Sequence, residues 1–97
     1  MNVGVCRIEL RMPENQSLKA KRQIVKSIIA RLQNTYNVSV AEVDNQDLWQ
    51  LATLGVSCVS NYRRHADETL SAVLKFIVRN YPGVEIVSSE TETFPAF

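Results

Sequence analysis

Apolar and polar positions alternate along residues 2–12. Gly4, Cys6, Ile8, Leu10 and Met12 fall on one side, and Val3, Val5, Arg7, Glu9 and Arg11 on the other. A period of two over that length predicts a strand with one buried face, because successive strand side chains point to opposite sides of the sheet. Pro13 ends it, having no amide hydrogen for the ladder. The period then lengthens. From Leu18 to about Asn34, Leu18, Val25, Ile28, Ile29 and Leu32 keep helical spacing behind an N-capping Ser17, with Lys19, Lys26 and Gln33 on the polar side. Val38 and Val40 begin a second strand that runs into the turn-forming Asp44-Asn45-Gln46-Asp47. A third strand is expected from about Trp49 to Ser60, with Ala52, Leu54, Val56 and Cys58 inward. Asn61 is expected to cap a second helix with an apolar stripe of Leu70, Val73, Leu74, Ile77 and Val78. Pro82-Gly83 stops that helix, and a last strand runs from Val84 to about Thr93.

The order strand, helix, strand, strand, helix, strand predicts an α+β fold occupying residues 1–97 as a single domain. It is a ferredoxin-like βαββαβ sandwich, with a four-stranded antiparallel sheet and two helices on one face. At its centre, right-handed crossovers are expected to set the first and third strands side by side and parallel. The opposite face of the sheet would then be open. Val3, Val5, Leu51 and Val87 are its candidate interface positions, and a homodimer formed across it is one expected partner arrangement. Phe94-Pro95-Ala96-Phe97 carries two aromatics that could curl over the same face. Trp49 is expected to anchor the end of the hairpin.

Charge changes this picture locally rather than globally. Eleven lysines and arginines against ten carboxylates give a net charge of +1, so bulk charge predicts no polyanion partner. Between Glu14 and Glu42, however, there is no acidic residue, while Lys19, Lys21, Arg22, Lys26 and Arg31 lie in that stretch. Two clusters stand out: Lys19, Lys21 and Arg22 at the start of the first helix, and Arg63, Arg64 and His65 at the start of the second. Cations at a helix N-terminus oppose the helix dipole, and together with the free backbone N–H groups they form an anion site. If the two central strands are parallel, both clusters emerge at one end of the sheet. They would make a paired site for a phosphate, flanked by Lys26. The bland alternative is a set of solvated surface cations, with Arg64 paired to Glu68 one helical turn on.

Other chemistries find no footing. Cys6 and Cys58 lie in predicted strands without metal-ligand spacing and read as buried free thiols. There is no glycine-rich phosphate loop and no nucleophile with an evident base, so an enzyme is not expected, nor a cofactor or metal. Glu42, Asp44 and Asp47 form a strand end and a turn rather than a metal site. The first and third strands place no aromatics on the open face, which argues against base stacking there. No apolar run approaches the roughly 20 residues that span a bilayer, so no membrane partner is expected. The N-terminus lacks a signal pattern, and a cytoplasmic location follows.

Ser17-Leu18-Lys19-x-Lys21-Arg22, Tyr36-Asn37-Val38-Ser39-Val40-Ala41-Glu42-Val43, and Asp47-Leu48-Trp49-Gln50-x-Ala52-Thr53-Leu54-Gly55-Val56 together resemble the bacterial YlxP-like domain of unknown function. The Ser60-Asn61 approach to the second helix fits as well, so the resemblance covers almost the whole chain. It implies a small ferredoxin-like protein whose genes often lie among translation and ribosome-maturation genes, with no catalytic residues to carry over. The expected function is therefore a non-enzymatic accessory factor associated with RNA or a ribosomal subunit. The alternatives are a homodimeric interaction module and a domain that holds a small anionic ligand between the helix starts.

Overall fold

The computed structural model describes all 97 residues. It contains β1 (Asn2–Arg11), α1 (Leu18–Thr35), β2 (Ser39–Asp44), β3 (Leu51–Ser60), α2 (Arg63–Asn80) and β4 (Glu85–Pro95). Ser17 caps α1 as its sequence predicts: its backbone is extended, and its Oγ accepts the Ala20 N–H at 3.0 Å. Asn61 does not cap α2. The helix begins two residues later behind Tyr62, which makes no side-chain capping bond. Ser60 Oγ accepts the Tyr62 N–H at 3.2 Å, and the Asn61 carbonyl accepts a bond from Asn2 Nδ2 at 3.1 Å.

The sheet has the order β2-β3-β1-β4, and every neighbouring pair is antiparallel. The plan is the expected ferredoxin-like α+β sandwich, but the expectation of parallel central strands is corrected. Helix α1 carries the chain back so that β2 runs parallel to β1 without touching it. The hairpin then reverses β3, which fills the gap between them antiparallel to both. Arg11, at the end of β1, lies opposite Leu51, where β3 starts; Ser60, at the end of β3, lies opposite Asn2. The two helices therefore begin at opposite ends of the sheet.

Period-two and period-3.6 positions meet in one core. Cys6, Ile8, Leu10 and Met12 from β1 and its end pack with Ala52, Leu54, Val56 and Cys58 from β3. Val25, Ile28 and Leu32 of α1 and Ala66, Leu70, Val73 and Ile77 of α2 close it from above. Val78, expected in the stripe, is 62% exposed, because it follows Ile77 around the helix toward solvent. Glycine is required where α2 approaches β1: a Cβ at Gly4 would stand 2.9 Å from Leu70 Cδ1 and 3.1 Å from Cys58 Sγ.

Both edge strands are interrupted. In β2 the register shifts between Glu42 and Asp44, leaving Val43 as a bulge. In β4 the pairing passes from Ser88 opposite Glu9 to Ile86 opposite Leu10, leaving Val87 out. The C-terminal segment does not curl over the sheet. β4 continues to Pro95 against Asn2, and the Ala96 N–H donates to the Met1 carbonyl at 2.8 Å.

Candidate functional site

Lys21 is the one residue of the basic clusters that the fold withdraws from solvent. Leu18, Lys21, Val25, Ile28 and Leu32 recur at intervals of three and four, which puts the lysine on the inward stripe of α1. Its side chain is fully buried, and Nζ stands 2.7 Å from Glu42 Oε2. The ammonium also donates to the carbonyls of Asn45 at 2.8 Å and Gln46 at 3.3 Å. Glu42 lies on the inward side of β2, opposite Leu54, and Oε2 has no other polar partner. Asn45 adopts a left-handed backbone with φ of 62°, and its Nδ2 donates to Thr53 Oγ1 at 2.8 Å. An ammonium has three protons to give; two go to these loop carbonyls, and Glu42 matches the charge as an ion pair. Lys21 pins the β2–β3 loop and, being buried, is closed to an external anion. The signal was its phase: a lysine in a core position of a helix, with a glutamate in an inward position of the neighbouring strand.

The remaining cluster residues are exposed but separated. Lys19, Arg22 and Lys26 project from α1 without a carboxylate partner. At α2, Arg63 is exposed and unpaired, and Arg64 Nε meets Glu68 Oε1 at 3.2 Å. His65 is exposed, with Nδ1 3.1 Å from Ser60 Oγ. Antiparallel β1 and β3 put the two groups a strand's length apart, about 30 Å for ten residues. The expected single site between paired helix starts does not form, and neither does a pocket for one small anion bridging them.

What the fold does assemble is a charge polarity across the sandwich. Setting aside the buried Lys21–Glu42 pair, eight of the remaining cations lie on the helices against only Asp67 and Glu68. The strands and loops carry Arg7 and Arg11 against seven carboxylates. Arg31 is exposed but lies over two rings, its guanidinium carbon 5.2 Å from both the Phe76 and Tyr81 ring centroids, and it donates to Asn80 Oδ1 at 3.1 Å. Lys19, Arg22, Lys26, Arg63, Lys75 and Arg79 make no ion pair.

The opposite, open face is mixed. Arg7 pairs with Glu9 at 3.0 Å, and that bond, with Glu9's charge, raises the guanidinium pKa above its already high value. Arg11 pairs with Glu85 at 3.2 Å, whereas Glu90 and Glu92 have no ion-pair partner. Of the candidate interface residues, Val3 and Val5 are half-buried on the central strand β1, Val3 near its start. Leu51 lies at the far end, opposite Arg11, and Val87 is displaced into the β4 bulge. The contiguous apolar group is instead Val59, Val3 and Phe94, which the register sets side by side on β3, β1 and β4. Phe94 was legible only as tail, because a strand ending near Thr93 left it out. A trough of about 490 Å³ lined by Val5, Ser39, Ala41, Val43, Gly55 and Ser57, among others, runs along this face.

Comparison with known proteins agrees with this architecture. The family model described as "Protein of unknown function (DUF503)" matches residues 3–91. "Uncharacterized protein YlxP" of Bacillus subtilis (strain 168) is 37% identical over 92 residues, covering 95% of this chain and 99% of that protein. Among solved structures, "De novo designed protein Foldit4" superimposes with a TM-score of 0.55 over the full length of both chains. At 14% identity this likeness is one of fold alone. A family match over nearly the whole chain and a relative aligned over almost its full length lead to one assignment: the chain belongs to the DUF503, YlxP-like family.

Proposed function

We propose that this protein is a non-enzymatic accessory factor that binds RNA, free or within a ribosomal subunit, through the phosphate backbone. The charge polarity of the sandwich carries this reading: a helix layer rich in unpaired cations, backed by an acidic strand layer. Lys19, Arg22 and Lys26 follow one side of α1 over about 10 Å at the helical rise per residue. Arg63, Lys75 and Arg79 add to the layer from α2. The helix-layer aromatics Tyr36, Phe76 and Tyr81 are half-buried, and only Tyr62, exposed beside Arg63 at the start of α2, offers a tyrosine face among these cations. Cations arranged in this way position a polyanion without reading its sequence.

The test is co-sedimentation with purified ribosomal subunits at low and moderate salt, beside binding to structured RNA across a salt series. Removing one cation that neutralises a phosphate should lower the slope of log affinity against log salt by about 0.7–0.9. Replacing Lys19, Arg22 and Lys26 with glutamine should weaken binding to every RNA sequence alike. A wild-type slope near zero would overturn the reading.

A further inference from the structure

The open face of the sheet is stepped. Its register sets Ser39, Ser57, Val5 and Glu92 in one row and Ala41, Gly55, Arg7 and Glu90 in the next. The β2–β3 half of each row is built from serine, alanine and glycine, and the β1–β4 half from valine, arginine and glutamate. In these two rows one half of the face is lower than the other, with the trough running along the step and Val43 of the β2 bulge standing beside Gly55 at its edge. At the end of the face, Val59 has Val3 as its β1 neighbour and no β2 neighbour, since β2 pairing with β3 begins at Ser39 opposite Ser57.

We propose that two copies of this chain pack sheet to sheet about a two-fold axis that lies along the strands, between β1 and β3. The strand order β2-β3-β1-β4 makes that axis the centre of the sheet. It lays β1 of one copy over β3 of the other and β4 over β2, so the high half of each fills the low half of its mate. Val5 meets the second copy's Ser57, and Glu92 meets its Ser39. Phe94 enters the space beside the second copy's Val59, where no β2 residue stands. A two-fold axis across the strands would instead stack high on high. An interface of this kind is isologous and closes at two copies.

Size and exclusion support the same occupant. Strands of ten, six, ten and eleven residues, about 4.8 Å apart, present roughly 600 Å² per copy. Two such faces reach the lower end of the range for specific protein interfaces, roughly 1,200 Å² in all, so the dimer should dissociate on dilution. Addition of a strand at either edge is opposed by the Val43 and Val87 bulges and by Glu85, Glu90 and Glu92 along β4. The basic helix layers would face outward on both sides, so the dimer does not depend on the RNA reading.

Sedimentation equilibrium from low micromolar to millimolar protein tests this proposal. The mass should rise from one chain to two and no further. Ser57→Lys, which fills the low half, and Phe94→Glu, which charges the apolar end, should each hold the protein at one chain with unchanged thermal unfolding. Val78→Glu, on the helix side, should behave as wild type. Ser39→Cys combined with Glu92→Cys should oxidise to a covalent dimer only, because these positions lie on opposite edges of one sheet and cannot bridge within a chain. A one-chain mass at every concentration would overturn the proposal. So would a dimer indifferent to both Ser57→Lys and Phe94→Glu, one lost on Val78→Glu, or one that fails to form the Ser39–Glu92 cross-link.

Discussion

Lys21 Nζ and Glu42 Oε2, 2.7 Å apart, tie the inward side of α1 to the inward side of β2. Burial makes this pair costly to break from either side, though not to replace whole. Removing the lysine alone strands a largely buried carboxylate and two carbonyls, a loss of about 3–5 kcal/mol. Lys21→Met should therefore lower the urea midpoint sharply. Lys21→Met combined with Glu42→Leu should recover part of the loss, since two apolar groups replace two charges. Equilibrium unfolding of the two single variants and the double variant measures the coupling.

Gly4 and Gly55 both face a neighbour 2.9 Å from the position a Cβ would take, yet alanine should be tolerated at only one of them. At Gly4 the obstacles are Leu70, Cys58 and Ala66, all in the packed core. Gly4→Ala should cost about 1–3 kcal/mol, as overpacking does. At Gly55 the obstacle is Val43, which is 53% exposed on a bulge and free to turn aside. Gly55→Ala should cost well under ~1 kcal/mol. Thermal melts of the two variants should separate clearly.

Burial raises the pKa of Cys58 above the ordinary thiol value. The thiolate is therefore favoured in the unfolded chain. Its contribution to stability is complete below the unfolded thiol pKa of about 8.5 and is lost as pH rises toward the folded value. Urea midpoints of the wild type minus those of Cys58→Ala should be constant from pH 6 to about 8 and shrink by pH 9.5. A difference that grows with pH would contradict the sign.

The two exposed basic groups should act independently on RNA. They stand about 30 Å apart, beyond the range over which substitutions usually couple. Losses of binding free energy for Lys19→Gln/Arg22→Gln and for Arg63→Gln/Arg64→Gln should add within about 0.5 kcal/mol in the combined variant. Filter binding at fixed salt is sufficient to measure this.

Local pattern carried most of the fold. Gly4 through Met12, Ser17 and the Leu70–Ile77 stripe specify their elements because each is a short-range consequence of period or capping. Strand direction was not local. It depends on a gap left between β1 and β2 for a later hairpin to fill, and mistaking it placed two distant basic groups together. Lys21 was partly legible: its residue type suggested surface, while its interval from Leu18 and Val25 put it in the core. Phe94 needed the full length of β4, which only its pairing with β1 defines.

Val43 and Val87 each remove one residue from the ladder on the two outermost strands. Growth of the sheet sideways would require a new chain to match a kinked template at either margin. A concentrated solution of this protein should thus stay free of cross-β fibrils, and thioflavin fluorescence should remain flat after prolonged incubation. Deleting Val87 would straighten one margin and leave every later β4 residue opposite its present β1 partner, because Ile86 and Ser88 already face the consecutive residues Leu10 and Glu9. Glu90 and Glu92 would stay opposite Arg7 and Val5 on the open face, so the deletion would remove the margin's guard without moving the acidic side chains.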